Sequence, residues 1–346
     1  MVDVRDDAEV ADLRGVRRRG LERLQRCRAH AFLTGREGFP LVGKDFRGRP
    51  IVPCMAILLT GATGYIGSHV LQILRAQGRD VVALVRDESK ARQVEAAGAT
   101  AAIGTIGDRG LVEQLATDSD GVIQLAAPGD GSDAEVTETF VDAVLAGLEG
   151  SDKPFVHTSG IWVYGSNADI SETSPLDPPA LTAWRVPLDE RVQKAEGVKT
   201  TVIAPGIVYG HGGGIPALVA GADQVDGALQ LIGSGDQHWT TVFVDDLAEL
   251  YVLAFDLAEG GSRYIGAGGD NPTVHELGVA AATAAGLEGR VVPTTIDEVH
   301  AKLGVPFGDA LLLDQQARGT SARIDLGWEP NGPTLVEELR SGSYTG

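Results

Sequence analysis

The segment Thr60-Gly61-Ala62-Thr63-Gly64-Tyr65-Ile66-Gly67 decides the fold of this chain. It follows the apolar run Ala56–Thr60, which is typical of a buried strand, and it opens a stretch with helical periodicity. In this context Gly61 permits a tight turn, Gly64 allows close backbone approach to a pyrophosphate, and Gly67 lets the helix pack on the strand. The segment therefore predicts a turn that holds the phosphates of a dinucleotide at the free N–H groups of a helix.

Strands and helices alternate outward from this turn, over residues 55–205. The predicted strands are Ala56–Thr60, Asp80–Val85, Thr100–Ile103, Gly121–Ala126, Phe155–Thr158 and Thr200–Ala204. The predicted helices are Tyr65–Ala76, Glu88–Ala97, Leu111–Ala116, Glu135–Leu148 and Arg185–Ala195. Strands that are apolar throughout are typical of a sheet covered by helices on both faces. With right-handed crossovers, the pattern predicts an α/β fold with a doubly wound parallel sheet of the Rossmann type.

The regular alternation ends after Pro205. Residues 206–346 are therefore interpreted as a smaller, mixed substrate-binding lobe with segments that return to the first domain. Its predicted strands are Gln230–Ile232 and Arg263–Ile265, and its predicted helices are Asp246–Asp256, Val274–Ala285 and Ile296–Leu303.

Residues 1–54 are interpreted as an extension that is not part of the core. Met55 directly precedes the first strand, and every fold signal follows it. The alternative is a helical arm, because apolar side chains recur there at helical spacing: Val10, Leu13, Val16, Leu21 and Leu24.

Composition excludes several classes of partner. The chain has 48 acidic and 29 basic residues and a formal net charge of −19, which argues against nucleic acid and anionic membranes. No apolar run could span a bilayer and no signal-peptide pattern begins the chain, so we expect a cytoplasmic protein. The only cysteines are Cys27 and Cys54, so we predict no metal site in the body of the chain. The expected partner is a small-molecule substrate, and a homodimer is possible.

Five further segments resemble the landmarks of the extended short-chain dehydrogenase/reductases, of the NAD-dependent epimerase/dehydratase type. They are Val122–Ala127 (VIQLAA), Phe155–Gly165 (FVHTSGIWVYG), Pro205–Gly210 (PGIVYG), Val242–Ala248 (VFVDDLA) and Leu326–Pro330 (LGWEP). The Gly-x-x-Gly-x-x-Gly spacing of the turn is also the form that this family uses. The resemblance implies a nicotinamide cofactor beside the turn and the following strand ends: Gly61, Thr63, Gly64, Tyr65, Ile66, Gly67, Leu125, Ala126, Ala127, Thr158, Pro205 and Ile207.

Arg86, at the end of the second predicted strand, favours NADP as the cofactor. It lies about 20 residues after the turn, where an acidic residue would hold the ribose hydroxyls of NAD. A guanidinium there suits a 2′-phosphate through paired charged hydrogen bonds, and Lys90 and Arg92 add positive charge. NAD is the less favoured alternative. If the chain is shifted by one residue, the Asp87 carboxylate takes the place that binds the ribose hydroxyls of NAD. Ile106 is expected to pack on the adenine ring.

The catalytic motif of the family is missing. Its members pair a Ser or Thr with Tyr-x-x-x-Lys on a later helix, where the Tyr transfers the carbonyl proton and the Lys lowers its pKa. This sequence has no Tyr-x-x-x-Lys: Trp184 or Arg185 takes the Tyr position, and Leu188 or Asp189 takes the Lys position. Gly160 stands at the usual Ser/Thr position. The resemblance is therefore to an atypical branch of the family.

Four residues are candidate catalytic substitutes. Ser159, just before the usual position, is a candidate to hold a substrate oxygen or a water. Tyr164 is a candidate proton donor, although this Tyr is normally structural in the family. Arg185 is expected to polarise a carbonyl or bind a carboxylate, with an ion pair to Asp189 as the alternative. His211, in a glycine loop, is a candidate general acid, with a plain surface His as the alternative.

The sequence thus predicts an NADP-dependent oxidoreductase acting on a carbonyl/alcohol pair of a small organic molecule. One alternative is a nucleotide-sugar epimerase or dehydratase. That activity needs cations to clamp a diphosphate, and Arg263 is the only Lys or Arg between Pro205 and Asp270. The other alternative is a non-catalytic NADP-binding regulator, which the missing Tyr and Lys motivate.

Overall fold

The structure is a computed structural model that describes residues 56–129 and 131–345. The predicted extension, residues 1–54, lies outside the described residues. The strands are β1 (Ala56–Thr60), β2 (Asp80–Val85), β3 (Thr100–Ile103), β4 (Gly121–Gln124), β5 (Pro154–Thr158), β6 (Asn167–Ile170), β7 (Lys199–Pro205), β8 (Ile207–Gly210), β9 (Gly213–Gly214), β10 (Gln224–Val225), β11 (Ala228–Gln230), β12 (Thr241–Phe243), β13 (Ser262–Gly266), β14 (Val291–Val292) and β15 (Gln315–Ala317). The helices are α1 (Tyr65–Ala76), α2 (Glu88–Ala96), α3 (Arg109–Asp118), α4 (Asp133–Leu148), α5 (Arg185–Gln193), α6 (Ala217–Ala220), α7 (Val244–Leu257), α8 (Val274–Ala284), α9 (Ile296–Leu303), α10 (Val305–Leu311), α11 (Thr320–Leu326) and α12 (Leu335–Ser341).

Seven parallel strands form the central sheet in the order β13-β7-β5-β4-β1-β2-β3. This confirms the predicted doubly wound parallel sheet. The chain runs outward from β1 through β2 to β3 and then returns to β4 on the other side of β1, so the winding direction reverses between β1 and β4. The connections that follow these two strands diverge, and ligands of such sheets bind in the crevice at their carboxyl ends. Thr60 and Gln124 end the two strands.

Both faces of the sheet are covered, as the continuous apolar strands predict. Every residue of β1 is buried, and Leu59 belongs to a core cluster that includes Leu71 of α1 and Tyr251 of α7. Successive side chains of a strand point to opposite faces, so the other face needs its own cover. There Phe155 of β5 packs edge-to-face on Phe140 of α4, with ring centroids 6.5 Å apart. The strands are therefore fixed in the middle of three layers.

Strand β13 belongs to the central sheet, although the sequence assigned Arg263–Ile265 to the smaller lobe. It pairs in parallel with β7, with Arg263 opposite Val202. This is a segment of the C-terminal region that returns to the first domain. The predicted strand Gln230–Ile232 was misplaced by two residues, because the ladder of β11 with β10 and β14 covers Ala228–Gln230.

The remaining strands form three small sheets, in the orders β12-β8-β9, β10-β11-β14 and β15-β6. Strand β8 follows β7 after the single residue Gly206, so the segment that begins there starts at the carboxyl edge of the central sheet. The described residues group into one unit by their contacts, and the division at residue 205 stays a prediction. In the described ranges, no helix has the length and apolarity needed to cross a membrane.

Candidate active site

Two glycines of the turn are required by its geometry. Gly61 has a φ of +72°, which side chains rarely adopt, and a Cβ there would lie 2.8 Å from the Ala126 nitrogen. A Cβ on Gly67 would lie 2.0 Å from the Gly61 oxygen, so any side chain forces α1 away from the turn. Gly64 differs, because it is exposed and a Cβ there would meet protein only at the Gly61 oxygen, 3.1 Å away. The space beside Gly64 is therefore open to a ligand.

The first turn of α1 offers its N–H groups to an anion. Its N-cap is Gly64, and no side chain caps the helix. These N–H groups and the positive end of the helix dipole suit a pyrophosphate. Thr63, Tyr65 and Ile66 are half-buried beside it, and the Tyr65 hydroxyl donates to the Gly210 oxygen at 2.7 Å. Turn and helix together fit a dinucleotide cofactor.

The segment after β4 lies opposite this turn. The N–H groups of Leu125 and Ala126 both donate to the Thr60 hydroxyl oxygen, at 3.2 Å each. These bonds hold the two peptides close to the end of β1, while Ala127 is exposed beyond them. The geometry is consistent with the predicted place of all three residues beside the cofactor.

Thr158 ends β5 at the same edge, but its side chain is engaged inside the sheet. Its hydroxyl donates to the Gln124 oxygen and lies 2.9 Å from the Tyr251 hydroxyl oxygen. Its carbonyl oxygen remains at the carboxyl edge, where it accepts a hydrogen bond from Arg185 at 3.1 Å. The hydrogen bonds of Thr158 therefore position Gln124, Tyr251 and Arg185.

At the end of β2, Arg86 is exposed, whereas the Asp87 side chain is used to cap a helix. Asp87 is the N-cap of α2, and its carboxylate accepts a hydrogen bond from the Lys90 N–H at 2.9 Å. A carboxylate used as a helix cap is less available to ribose hydroxyls. Arg86 has no such engagement among the described residues, and Ile106 lies half-buried in the loop after β3.

A cleft of about 470 Å³ opens at the carboxyl edge of the sheet, between the N-termini of α1 and α5. The predicted residues that line it are Tyr65, Ile66, Thr158, Ser159, Arg185, Pro205 and Ile207. Apolar side chains form much of the remaining wall: Ile161, Trp162, Leu181, Trp184, Val208 and Ile215. Two candidates, Tyr164 and His211, do not line this cleft.

Residues 57–266 match the model of the NAD dependent epimerase/dehydratase family. The chain belongs to this family. A UDP-glucose 4-epimerase of Mycolicibacterium smegmatis is 30% identical over 305 residues, which cover 80% of this chain and 94% of the relative. An uncharacterized protein of Schizosaccharomyces pombe is 29% identical over 303 residues, which cover 84% of this chain and 100% of the relative.

A solved structure shares the fold. The UDP-glucose 4-epimerase of Thermus thermophilus, in complex with NAD, superimposes with a TM-score of 0.65 at 22% identity. The match covers 84% of this chain and 98% of that one. Membership of the epimerase/dehydratase family indicates an NAD(P)-dependent enzyme of the short-chain dehydrogenase/reductase type, with oxidoreductase or epimerase chemistry.

Behind the cleft, this family member has a buried polar network that sequence reasoning missed. The Ser159 hydroxyl donates to Asp189 Oδ2 at 2.5 Å, and the Arg263 guanidinium donates to the same oxygen at 2.9 Å. His157 Nε2 lies 3.3 Å from Asp189 Oδ1. Burial raises the pKa of the Asp189 carboxyl, but its contacts with His157, Arg263 and Ser159 outweigh burial and hold the pKa below its usual value.

The network contradicts the alternative in which Arg185 pairs with Asp189, because Asp189 pairs with Arg263 instead. Two sequence signals could have indicated it. His157 lies in the strand and Ser159 directly follows its end, two residues later, and Arg263 is the only Lys or Arg between Pro205 and Asp270. Neither signal identifies Asp189, which the fold brings to them from α5.

Arg185 begins α5 and reaches into the cleft. One guanidinium nitrogen donates to the Thr158 oxygen at 3.1 Å, and the guanidinium carbon lies 4.5 Å from the centre of the Trp184 ring. Burial lowers the pKa of Arg185, although an arginine stays charged at neutral pH. No carboxylate among residues 56–129 and 131–345 forms an ion pair with it.

Tyr164 packs in the core, away from the cleft. It is 1% exposed and belongs to a cluster with Val163, Ile170 and Ile265. Burial raises the pKa of its hydroxyl. We therefore no longer consider it as a proton donor, because a hydroxyl in the core cannot reach a substrate in the cleft.

His211 lies on the surface in a group with His69 and Asp245. His69 Nδ1 is 2.5 Å from one Asp245 oxygen, His211 Nε2 is 3.0 Å from the other, and the two rings stack with centroids 5.0 Å apart. One potential ligand atom from each residue falls within 4.8 Å of the others, the spacing that a metal ion needs. The carboxylate also satisfies both rings by hydrogen bonds, and the group lies outside the cleft, so we no longer consider His211 as the general acid.

The glycine loop that carries His211 is fastened from two sides. The Gly210 N–H donates to the Tyr344 hydroxyl oxygen at 2.9 Å, and the Gly212 N–H donates to Ser343 Oγ at 2.7 Å. On the other side, Tyr65 of α1 donates to the Gly210 oxygen. The loop therefore joins the phosphate-binding helix to residues 343–344.

Proposed function

We propose that this family member is an NADP-dependent oxidoreductase that interconverts a carbonyl and an alcohol on a small organic substrate. The observation that carries the proposal is the pair of polar groups at the cleft, the Arg185 guanidinium and the Ser159 hydroxyl oxygen. When bound, the cofactor supplies or accepts the hydride. The chain then has to hold the substrate oxygen and manage its proton.

The two side chains support complementary roles toward that oxygen. Ser159 donates its only hydrogen to Asp189, so toward the cleft it can only accept. It is suited to orient a water or the hydroxyl of an alcohol substrate. Arg185 has N–H groups beyond the one used by Thr158, and a fixed cation stabilises the negative charge that develops on a carbonyl oxygen. With Tyr164 and His211 outside the cleft, we assign the proton to a water held by Ser159.

The arrangement around Arg86 supports NADP over NAD. Arg86 is exposed, and Asp87 caps α2 through Lys90. A guanidinium at the end of β2 recognises a phosphate by charged hydrogen bonds, whereas ribose hydroxyls call for a carboxylate there.

An epimerase or dehydratase of nucleotide sugars is the second candidate, because a UDP-glucose 4-epimerase is among the relatives. Arg263, the only Lys or Arg between Pro205 and Asp270, argues against it. Its side chain is 7% exposed and paired with Asp189, so it is not free to clamp a diphosphate. A relative named as a ketoreductase, from Stigmatella aurantiaca, is 25% identical over 288 residues and is compatible with carbonyl reduction.

The test is NADPH oxidation with a panel of ketones and aldehydes, alongside UDP-glucose epimerisation. We expect turnover with at least one carbonyl compound and none with the sugar nucleotide. Arg185→Leu and Ser159→Ala should lower kcat, by roughly 10²-fold for the guanidinium, while Tyr164→Phe and His211→Ala retain it. NADPH binding without any turnover would favour the regulator, and epimerisation of UDP-glucose would favour the second candidate.

A further inference from the structure

Arg185 differs from most half-buried arginines of the described residues, which pair with a carboxylate; Arg323, outside the cleft, is the other that donates only to backbone oxygens. Arg263 is paired with Asp189, Arg79 with Asp256, and Arg191 with two carboxylates of α4. Arg185 is half-buried, yet within the described residues its hydrogen bond goes to a neutral backbone oxygen. A charge withdrawn from water without an ionic partner is costly, and such a charge in a cleft is typical of a site that receives the partner from a ligand.

The charges of Asp189 and Asp133 favour the charged form of Arg185, but neither carboxylate forms an ion pair with it. Asp189 accepts hydrogen bonds from Ser159 and Arg263. Asp133, which also lines the cleft, accepts a hydrogen bond from the Gly129 N–H at 3.0 Å and forms no ion pair with Arg185. Arg185 itself is held in place by Thr158 and by the Trp184 ring. Its remaining N–H groups keep the fork geometry that suits a carboxylate.

We propose that Arg185 binds a carboxylate of the substrate, so that the substrates are oxo acids and hydroxy acids with an apolar body. This rests on the proposed function and specifies its substrate class. The apolar body would pack on Ile161, Trp162 and Ile215, which line the same cleft. The Ser159 oxygen would then hold the water beside the reacting carbonyl.

The cofactor's phosphates are the other anionic chemistry that could reach a guanidinium. They are expected at the uncapped first turn of α1, whereas Arg185 belongs to α5. The affinity for NADPH alone separates the two sources. A substrate carboxylate on Arg185 leaves NADPH binding unchanged in Arg185→Met, whereas a cofactor phosphate on Arg185 makes that variant bind NADPH more weakly and overturns the proposal.

The kinetic test uses pairs of probes that differ in charge alone. Benzoylformate and benzoylacetate are each compared with their methyl esters as substrates of the wild type, Arg185→Met and Arg185→Lys. Arg191→Met is the matched control, because Arg191 is on the same helix but pairs with surface carboxylates of α4.

We expect the wild type to prefer an acid over its ester in kcat/KM. Arg185→Met should lose roughly 10- to 100-fold more in kcat/KM toward the acid than toward the ester, because the ester loses only the stabilisation of the carbonyl oxygen. Arg185→Lys should recover part of the loss, since it restores the charge but not the fork. Arg191→Met should leave the ratio unchanged. Equal losses for acid and ester in Arg185→Met would overturn the proposal, because the guanidinium would then act on the carbonyl alone.

Equilibrium binding keeps the inference testable if none of the probes is reduced. Calorimetry would measure benzoate binding to the NADPH-bound protein. Binding that is present in the wild type and Arg191→Met but lost in Arg185→Met supports the carboxylate site even where the oxidoreductase proposal fails. No benzoate binding to the wild type, or equal binding to Arg185→Met, overturns it.

Discussion

At the residue scale, Ser159 and Arg185 face the cleft with opposite hydrogen-bonding roles. Ser159 gives its hydrogen to Asp189 and offers only its oxygen, whereas Arg185 offers only N–H groups. The role of Ser159 depends on Arg263, which donates to the same Asp189 oxygen. A buried ion pair behind the cleft thus determines what Ser159 can do there.

Removing the carboxylate of this pair should destabilise the fold. Asp189→Asn leaves the buried Arg263 charge without a partner, which costs roughly 3–5 kcal/mol of the free energy of unfolding. Urea unfolding at neutral pH measures the loss. The control is Asp142→Asn, which breaks a partly exposed pair with Arg191 and should cost about 0–1 kcal/mol. Equal losses in the two variants would show that the Asp189 pair contributes no more than a surface one.

The same pair predicts a pH dependence. The pKa of Asp189 is lower in the folded protein than in the unfolded chain, so its stabilisation is present above about pH 4 and is lost as pH falls through the folded-state value. The difference in unfolding free energy between wild type and Asp189→Asn should therefore shrink as pH is lowered below about 4. Unfolding is followed down to the lowest pH at which the wild type is folded, and a difference that stays constant to that point would be contrary to expectation.

Arg86 should set the cofactor preference. Arg86→Ala should weaken NADPH binding by roughly 10- to 100-fold, the range for losing a charged hydrogen-bond partner, and leave NADH binding nearly unchanged. Fluorescence titration of both cofactors measures this. Lys194→Ala, a surface change at the C-terminal end of α5, is the control that should alter neither affinity. A wild type that binds NADH as tightly as NADPH would refute the assignment.

At the element scale, the contact between α1 and the turn allows no side chain. Gly67→Ala would put a Cβ 2.0 Å from the Gly61 oxygen, so α1 must shift, and we expect lower thermal stability and a loss of NADPH affinity. Gly110→Ala is the matched control, because it is a helical glycine of α3 whose Cβ would have space. That change should be neutral or stabilising by about 0.5–1 kcal/mol. Thermal melts and NADPH titration of both variants measure the two effects. A Gly67→Ala protein with the Tm and NADPH affinity of the control would exclude the tight contact.

The elements around the turn could be predicted from the sequence because their signals are local. An apolar run followed by a glycine turn and a periodic stretch indicates a strand and a helix without knowledge of the rest. Strand β13 was recognised, but its place in the central sheet was not, because its partner β7 is distant in the chain and no local pattern identifies that partner. The Asp189 network joins β5, α5 and β13, so for the same reason only the fold could bring it to light.

At the scale of the whole molecule, the charge of the chain should limit its stability at low salt. With a formal net charge of −19, self-repulsion opposes the compact state. Raising ionic strength from about 0.01 M to 0.15 M shortens the Debye length from about 30 Å to 8 Å and weakens this repulsion. We expect Tm to rise by a few degrees over this range, equally in NaCl and KCl. A Tm that falls or stays constant would mean that favourable ion pairs outweigh the repulsion.

The glycine loop is bonded both to Tyr65 and to residues 343–344, so hydrogen exchange in the loop should respond to cofactor binding at the first turn of α1. If NADPH steadies the first turn of α1, the backbone amides of Gly210 and Gly212 should exchange their protons for deuterium more slowly, because the loop is bonded to that helix. Mass spectrometry of the peptides around the loop and around Tyr344 would record this protection. In Tyr65→Phe, which lacks the bond to Gly210, the protection should remain in α1 and no longer extend to the glycine loop and the peptide around Tyr344.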